Sequence, residues 1–550
     1  DQRLVLSRDP YGIAPLYLCE RNGRLYFASE VKAIFAAESA IPRAWDAMGL
    51  EQTFTFWTPV PPQTVFSGIE ELRPGHTRTY ERGGMRDAPY VMPSYPECSR
   101  QPASSGGDVD AAAQAVRTAL ESAVRLRVLR ADVPVGSYLS GGLDSSLVAA
   151  LGRRHTSGAF RTFSLRFEDA EYDETRYQRL MARALESEHH ELTVHRRDVA
   201  ESLPCVVVHA ERPILRAGPV PLFLLSRAVH DAGIKVVLTG EGADEVFAGY
   251  DLFREAKVRR FWARFPKSRL RPRALERLYP YLDRSPVSKP ALAREIFGRD
   301  LEHARDPGFG HAVRWRTTAA LRRLFSDPLR AAVGDRDVVG EFLGTLPENF
   351  ARWSGLAQDQ HIEIRTLLSG YLLSAQGDRM LMAHSVEGRY PYLDGALGRL
   401  GDALPAHYKL RGLDEKHVLK RVARELVPAE IVARHKQPYR APDALALVAN
   451  DRPDYIDELL SRASIAAAGV FDPDAIQRLW HKCRRAGDTA QFSNADNMAL
   501  VGVLSTQLLH QHFIRERPML RTAARLNTDI DRSTAATKSE HHARRRTVAT

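Results

Sequence analysis

Residues Val133 to Leu151 read VPVGSYLSGGLDSSLVAAL, and the pattern changes period part-way along. The apolar run ending at Leu139 predicts a buried strand, and Ser145 to Leu151 predicts a helix. Between them Gly141 and Gly142 let the backbone turn tightly and present consecutive N–H groups, while the helix entrance adds its dipole. Strand, glycine turn and helix N-terminus in that order suit a phosphate. Leu139, Ser140, Gly141, Gly142, Asp144, Ser145 and Ser146 are therefore candidate phosphate-loop residues. The loop is not the lysine-bearing kind, because no Gly-Lys dipeptide occurs anywhere in the chain.

Working outward, helical periodicity over Ala111–Arg130 precedes this strand. It is followed by strand Thr162–Phe167, helix Glu174–Leu185, strand His190–Val194, helix Pro221–Val229 and strand Ile234–Thr239. Strands alternating with helices predict an α/β fold, a parallel sheet wound with right-handed crossovers. From about Asp244 to Leu520 the chain reads as mostly helical. On the amino side, Arg3–Leu6, Leu16–Leu18 and Leu25–Ala28 read as a meander of antiparallel strands punctuated by Asp9-Pro10 and Asn22-Gly23. The expected division is a β-rich domain over 1–95, a Pro/Ser/Gly linker over 96–110, the α/β and helical part over 111–520, and a basic disordered tail over 521–550.

A second loop, VVLTGEGADEVFAGY from Val236 to Tyr250, again ends a strand in glycines, here followed by Glu241, Asp244 and Glu245. Ligands gather at the carboxyl ends of parallel strands, so the two loops can face one pocket. Asp144 and Asp244 could then hold a hard cation such as Mg²⁺ against phosphates; the plainer alternative is that both cap helices. A third segment, RHKQPYRAPD from Arg434 to Asp443, concentrates positive charge. Lys436 is its candidate for stabilising a departing pyrophosphate.

Composition bounds these readings. At 550 residues and 61.6 kDa, two or three domains are expected, and 44% hydrophobic with 27% charged residues is ordinary for a globular chain. Four scattered cysteines, Cys19, Cys98, Cys205 and Cys483, argue against a disulfide framework or structural zinc. No long uncharged apolar run predicts a membrane span, so a soluble, cytoplasmic protein is expected. The net charge of +10 points weakly to nucleic acid, but from Arg515 to Thr550 nine basic residues face four acidic ones, so half of the excess belongs to the tail. A solvated tail is preferred there over a polyanion-binding one.

SGGLDSS (Ser140–Ser146), LTGEGADE (Leu238–Glu245), DRMLMAHSVEGRYPYLD (Asp378–Asp394) and RHKQ (Arg434–Gln437), in this order, resemble the glutamine-dependent asparagine synthetases along nearly the whole chain. The resemblance implies an ATP-pyrophosphatase domain with a large helical part, preceded by a remnant of an N-terminal-nucleophile glutaminase. It implies ATP as substrate, Mg²⁺ on Asp144 and Asp244, and adenosine contacts from Tyr138, Leu165, Thr239 and Gly240. Glu241 matches the glutamate implicated in forming and amidating the acyl-adenylate, and Lys436 the lysine near pyrophosphate. Glu387, Arg389 and Asp394 receive no firm role and read as a structural ion-pair network. The implied reaction joins aspartate and ATP into β-aspartyl-AMP, which ammonia, or nitrogen from glutamine in a longer enzyme, converts to asparagine; a homodimer is compatible with the resemblance.

RDPYGIAPLY (Arg8–Tyr17) and YFASEVKAI (Tyr26–Ile34) look like later strands of that glutaminase, but the opening cysteine it requires is missing, and Cys19 follows the matching motif. Either the sequence is a fragment of a longer enzyme, the preferred reading, or the glutaminase is lost and ammonia comes from outside; both predict that this chain uses ammonia and does not hydrolyse glutamine. β-Lactam synthetases and lasso-peptide cyclases share the architecture; in the former a tyrosine stands where Glu241 does, which favours ammonia as nucleophile here. A non-catalytic nucleotide-binding regulator and a tRNA-modifying pyrophosphatase are the rivals from other classes. The intact loops oppose the first, and the confinement of excess charge to the tail opposes the second.

Overall fold

The computed structural model describes residues 3–97, 108–168, 173–279, 289–487 and 492–518. The basic tail, Cys98 and most of the linker lie outside them. Two small antiparallel sheets occupy the amino end: β1 (Leu4–Ser7) with β5 (His76–Glu81) and β6 (Gly84–Pro89), and β3 (Arg24–Ala28) with β2 (Tyr17–Arg21) and β4 (Glu70–Glu71). The expected single meander does not form. Asp9 accepts the N–H groups of Tyr11, Ile13 and Ala14 on its carboxylate, which closes a loop after β1 and sends the chain to the other sheet. Of the three expected strands only β2 and β3 pair as a hairpin, across Asn22 and Gly23, both at positive φ as that turn demands. The segment after β3 is also no strand. Val31, Ile34 and Phe35 are buried at helical spacing on the helix Val31–Ala37.

Beyond the linker, β7 (Val135–Tyr138), β8 (Arg161–Phe167), β9 (Glu188–Val194), β10 (Val236–Leu238) and β11 (Glu387–Arg389) form one sheet in the order β11-β10-β7-β8-β9. Every pairing in it is parallel. Helices Leu143–Arg154, Thr175–Leu185, Arg196–Ala210 and Pro219–Asp231 make the crossovers. The third carries Pro204 inside it, which hides it from a reading by breakers. From β7 the chain winds outward through β8 and β9, then returns to lay β10 on the other side. The strand order thus reverses between β7 and β10, where doubly wound sheets open a crevice.

The helical remainder runs from Ala243 to Arg515 and includes the continuous stretch Gly355–Met382, whose middle part, Ile364–Asp378, has wider π-type turns. No described helix is long and apolar enough to cross a membrane. Residues from the amino end are not packed apart. Tyr17, Phe35, Leu50, Phe54 and Phe66 join the same apolar cluster as Leu203, Leu215, Phe325, Leu447 and Leu504. A buried polar network crosses the same boundary. Glu71 pairs with Arg8 at 2.9 Å and with Arg212 at 3.3 Å, Arg379 pairs with Glu211 at 2.9 Å, and Tyr17 Oη accepts from Arg212 and Arg379.

Candidate active site at the sheet switch point

The turn after β7 is fixed by its neighbours. The Leu139 N–H donates to the Phe163 carbonyl at 2.9 Å, and Ser164 Oγ donates to the Leu139 carbonyl. Gly141 adopts φ +75°, and a Cβ there would lie 2.7 Å from Tyr177 Cβ, so the tight turn admits only glycine. Ser140 and Ser145 bond to each other across the turn, Oγ to Oγ at 2.9 Å, so these two hydroxyls brace the loop. The loop after β10 docks directly on it: a Cβ on Gly240 would come 3.0 Å from Ser145 N. Thr239 N–H donates to the Arg389 carbonyl at 3.0 Å, continuing the β10–β11 ladder into the site. The two motifs therefore meet, as their positions on one sheet predict.

Asp144 and Asp244 stand in the first turns of their helices, 8% and 7% exposed. The N-cap positions are Gly142 and Gly242, and neither helix has a side-chain cap, which sets the capping alternative aside. Lys416 Nζ lies 2.5 Å from Asp144 Oδ2 and 2.6 Å from Asp244 Oδ1. Lys436 Nζ lies 2.8 Å from Asp244 Oδ2 and 3.8 Å from Asp144 Oδ2. Two carboxylates and two ammonium groups thus balance in one buried cluster. Burial penalises the charge on both acids. It prevails at Asp144, whose carboxyl is pushed up, whereas at Asp244 the pull of Lys416 and Lys436 outweighs it and lowers the carboxyl. Burial disfavours the charged form of Lys436 too, but Asp244 and Asp144 hold its ammonium well above the usual lysine range.

Around this cluster, buried polar atoms lack partners: Tyr138 Oη, Asp144 Oδ1, Thr239 Oγ1, Glu241 Oε2 and Tyr390 Oη. Native interiors satisfy such groups, so a concentration of them at the ends of β7, β10 and β11 marks a place built for a ligand. Burial also raises the Glu241 carboxyl. Ser146 is fully buried with its hydroxyl unpaired, and Leu165 lies one strand away on β8, its carbonyl held by Gln178 Nε2 at 2.9 Å.

The donor set fits Mg²⁺: two hard carboxylates from two loops, one with an oxygen to spare. Among the described residues no cluster of three or more His, Cys, Asp or Glu could hold a metal alone, so phosphate oxygens would have to complete the coordination. Arg389 pairs with Glu387 at 2.7 Å and donates to the Arg127 carbonyl, while Arg127 pairs with Asp394 at 3.0 Å. Glu387, Arg389 and Asp394 thus form ion pairs and a hydrogen bond that tie β11 and the turn after it to Arg127 of the helix Val109–Leu129. Cys19 is buried in β2 with its thiol pushed up by burial, the opposite of an activated nucleophile.

Lys416 is the member of this cluster that the motifs did not reveal. It sits at φ +50° just before the helix His417–Ala423, in a segment with no glycine loop after a strand to mark it. A cavity of about 670 Å³, bounded by Thr55, Phe309, Trp315 and Leu343, shares no lining residue with the two loops. Size does not locate the chemistry here, and the converging charges do.

A parallel sheet with a glycine loop, an acidic loop and two lysines at its switch point defines an α/β protein with a charged crevice at the strand ends. The comparisons with known proteins narrow this. The Asparagine synthase family matches residues 115–511 and the Glutamine amidotransferase domain matches residues 1–91, and the chain belongs to the asparagine synthase family. It is 27% identical to asparagine synthetase [glutamine-hydrolyzing] 1 of Bacillus subtilis over 80% of this chain and 66% of that protein. It is 30% identical to a putative asparagine synthetase [glutamine-hydrolyzing] of Mycobacterium tuberculosis, over 80% of this chain and 65% of that protein. With the amidase chyE of Penicillium rubens it shares 29% identity over 91% of this chain and 75% of that protein. The chain thus spans about two thirds of the length of these bacterial relatives.

Proposed function

We propose that the chain is an ATP-dependent, amide-forming ligase that converts aspartate to asparagine through an acyl-adenylate, with ammonia as the immediate nitrogen donor. The observation that carries this reading is the meeting of Asp144, Asp244 and Lys436 from three separate segments at the sheet switch point. The backbone N–H groups of the loop from Ser140 to Asp144 and the entrance of the helix Leu143–Arg154 receive phosphate, and Tyr138, Leu165, Thr239 and Gly240 take the adenosine part. Asp144 and Asp244 would hold Mg²⁺, which supplies charge neutralisation and orientation for the phosphates. A carboxylate oxygen of the acceptor attacks the α-phosphorus, the bond to the bridging oxygen breaks, and pyrophosphate leaves beside Lys436, whose fixed ammonium stabilises the developing charge. Ammonia then attacks the acyl carbon and AMP departs. The Glu241 carboxylate, partnerless at one oxygen and raised by burial, is suited to take the proton that ammonia sheds.

A second reading, amidation of a different carboxylate, is favoured by one observation. Alignment with two fungal proteins named amidases covers 91% and 92% of this chain, against 80% for the bacterial asparagine synthetases. Pyrophosphate release with ammonium and aspartate, compared with other carboxylates, separates the two. With either acceptor, Asp144→Asn is expected to lower pyrophosphate release by about a thousandfold or more while circular dichroism shows an unchanged fold. Activity within a few-fold of the parent would remove Asp144 from the machinery.

A further inference from the structure

The ammonium of Lys416 is the most deeply placed charge of the site, with its side chain 2% exposed against 29% for Lys436. It bridges the two acids, touching Asp144 Oδ2 and Asp244 Oδ1 at once. The fold goes out of its way to bring it there. Its backbone is left-handed at φ +50°, a conformation that residues with a Cβ rarely adopt. The lane for its side chain runs past Gly249, where a Cβ would fall 2.0 Å from Lys416 Cε and 1.9 Å from Asp244 Oδ1. Lys436 reaches the same pair and contacts mainly Asp244 Oδ2.

We propose that Lys416 is an internal competitor of Mg²⁺ for the Asp144–Asp244 pair, so that the pair takes up the metal together with nucleotide phosphates and not before them. The inference rests on the reading of these two acids as the metal-holding pair. A divalent ion bridging both carboxylates needs oxygens that Lys416 now holds, and an ammonium beside it would repel it in a buried place where solvent screens little. Incoming phosphates remove the conflict, because they give Lys416 a new anionic partner in charge-assisted hydrogen bonds. Metal and nucleotide affinities are then linked, each raising the other by the same factor. Lys416 is in this sense a positioning residue, acting through the carboxylates and the metal.

The test is calorimetric titration of MgCl₂ into the 550-residue chain, alone and with a non-hydrolysable ATP analogue, for the parent, Lys416→Met and Lys416→Arg. Lys416→Met is expected to bind Mg²⁺ alone about tenfold or more tightly than the parent, with the linkage to the analogue correspondingly reduced, while Lys416→Arg stays near the parent. If Lys416→Met does not fold, the parent alone decides. Mg²⁺ must leave its melting temperature unmoved at concentrations where Mg²⁺ with the analogue raises it. Saturable Mg²⁺ binding by the parent without nucleotide, at an affinity the analogue does not improve, overturns the proposal. So does a folded Lys416→Met that binds Mg²⁺ no better than the parent. Asp144→Asn separates the underlying reading: if it keeps full metal binding in the nucleotide complex, the metal assignment itself falls.

Discussion

Glu255, outside the site, shows what burial does to a single acid in this protein. It is 7% exposed, accepts from Tyr279 Oη at 2.8 Å, and is pushed up to about 7, chiefly by desolvation. A raised carboxyl stabilises the folded state below its unfolded value of 4.5, and that contribution is lost as pH rises through about 7, because the unfolded chain ionises first. Glu255→Gln should therefore raise stability at pH 8 by roughly 3 kcal/mol relative to the parent and leave it unchanged near pH 4, as read from urea melts at both values. The same logic explains which site residues were legible. Asp144, Asp244 and Lys436 sit in motifs whose order along the chain already implied one pocket. Lys416 sits in LDEKHVLK, where a lysine before a helix carries no local sign of its partners; only the packing around Gly249 brings it to the acids.

At the scale of the element, the loop after β7 depends on one backbone conformation. Gly141→Ala must either abandon φ +75° or push Tyr177 and the start of the helix Thr175–Leu185 aside, since the added Cβ would meet Tyr177 Cβ at 2.7 Å and Gln178 N at 2.8 Å. The expected outcome is a loss of about 1–3 kcal/mol in thermal unfolding and a raised KM for ATP. An unchanged KM would show that the turn does not set the phosphate geometry. β7 and β10 were readable because each ends in glycines just before a helix. β11 was not. Its residues Glu387, Gly388 and Arg389 are polar because it is an edge strand, and it exists through pairing with β10, Val236 opposite Glu387. At the amino end the apolar runs were found, but their partners were misassigned, because pairing β1 with β5 depends on a loop chemistry at Asp9 that periodicity does not encode.

For the whole molecule, the junction between the amino-terminal sheets and the rest is decided by buried charge. Glu71 has a side chain 2% exposed and balances Arg8 and Arg212 across that boundary. Burial opposes its charge, but Arg8, Arg212 and Arg379 hold Glu71 below the usual carboxylate range. Glu71→Gln leaves two guanidinium groups short of an anion in the interior and should cost about 3–5 kcal/mol in chemical denaturation, with both halves of the chain melting together. Two separate transitions would show that the shared core does not couple them. The sheet has a further consequence during synthesis. β10 must wait for β11, some 150 residues later, before its outer edge is paired, and Lys436 follows later still. At a translation rate of roughly 5–20 residues per second, the nascent chain spends on the order of ten seconds with an apolar parallel ribbon exposed. A chain cut before Glu387 is therefore expected to expose the Val236–Leu238 edge and to aggregate more readily than the parent, as read by light scattering.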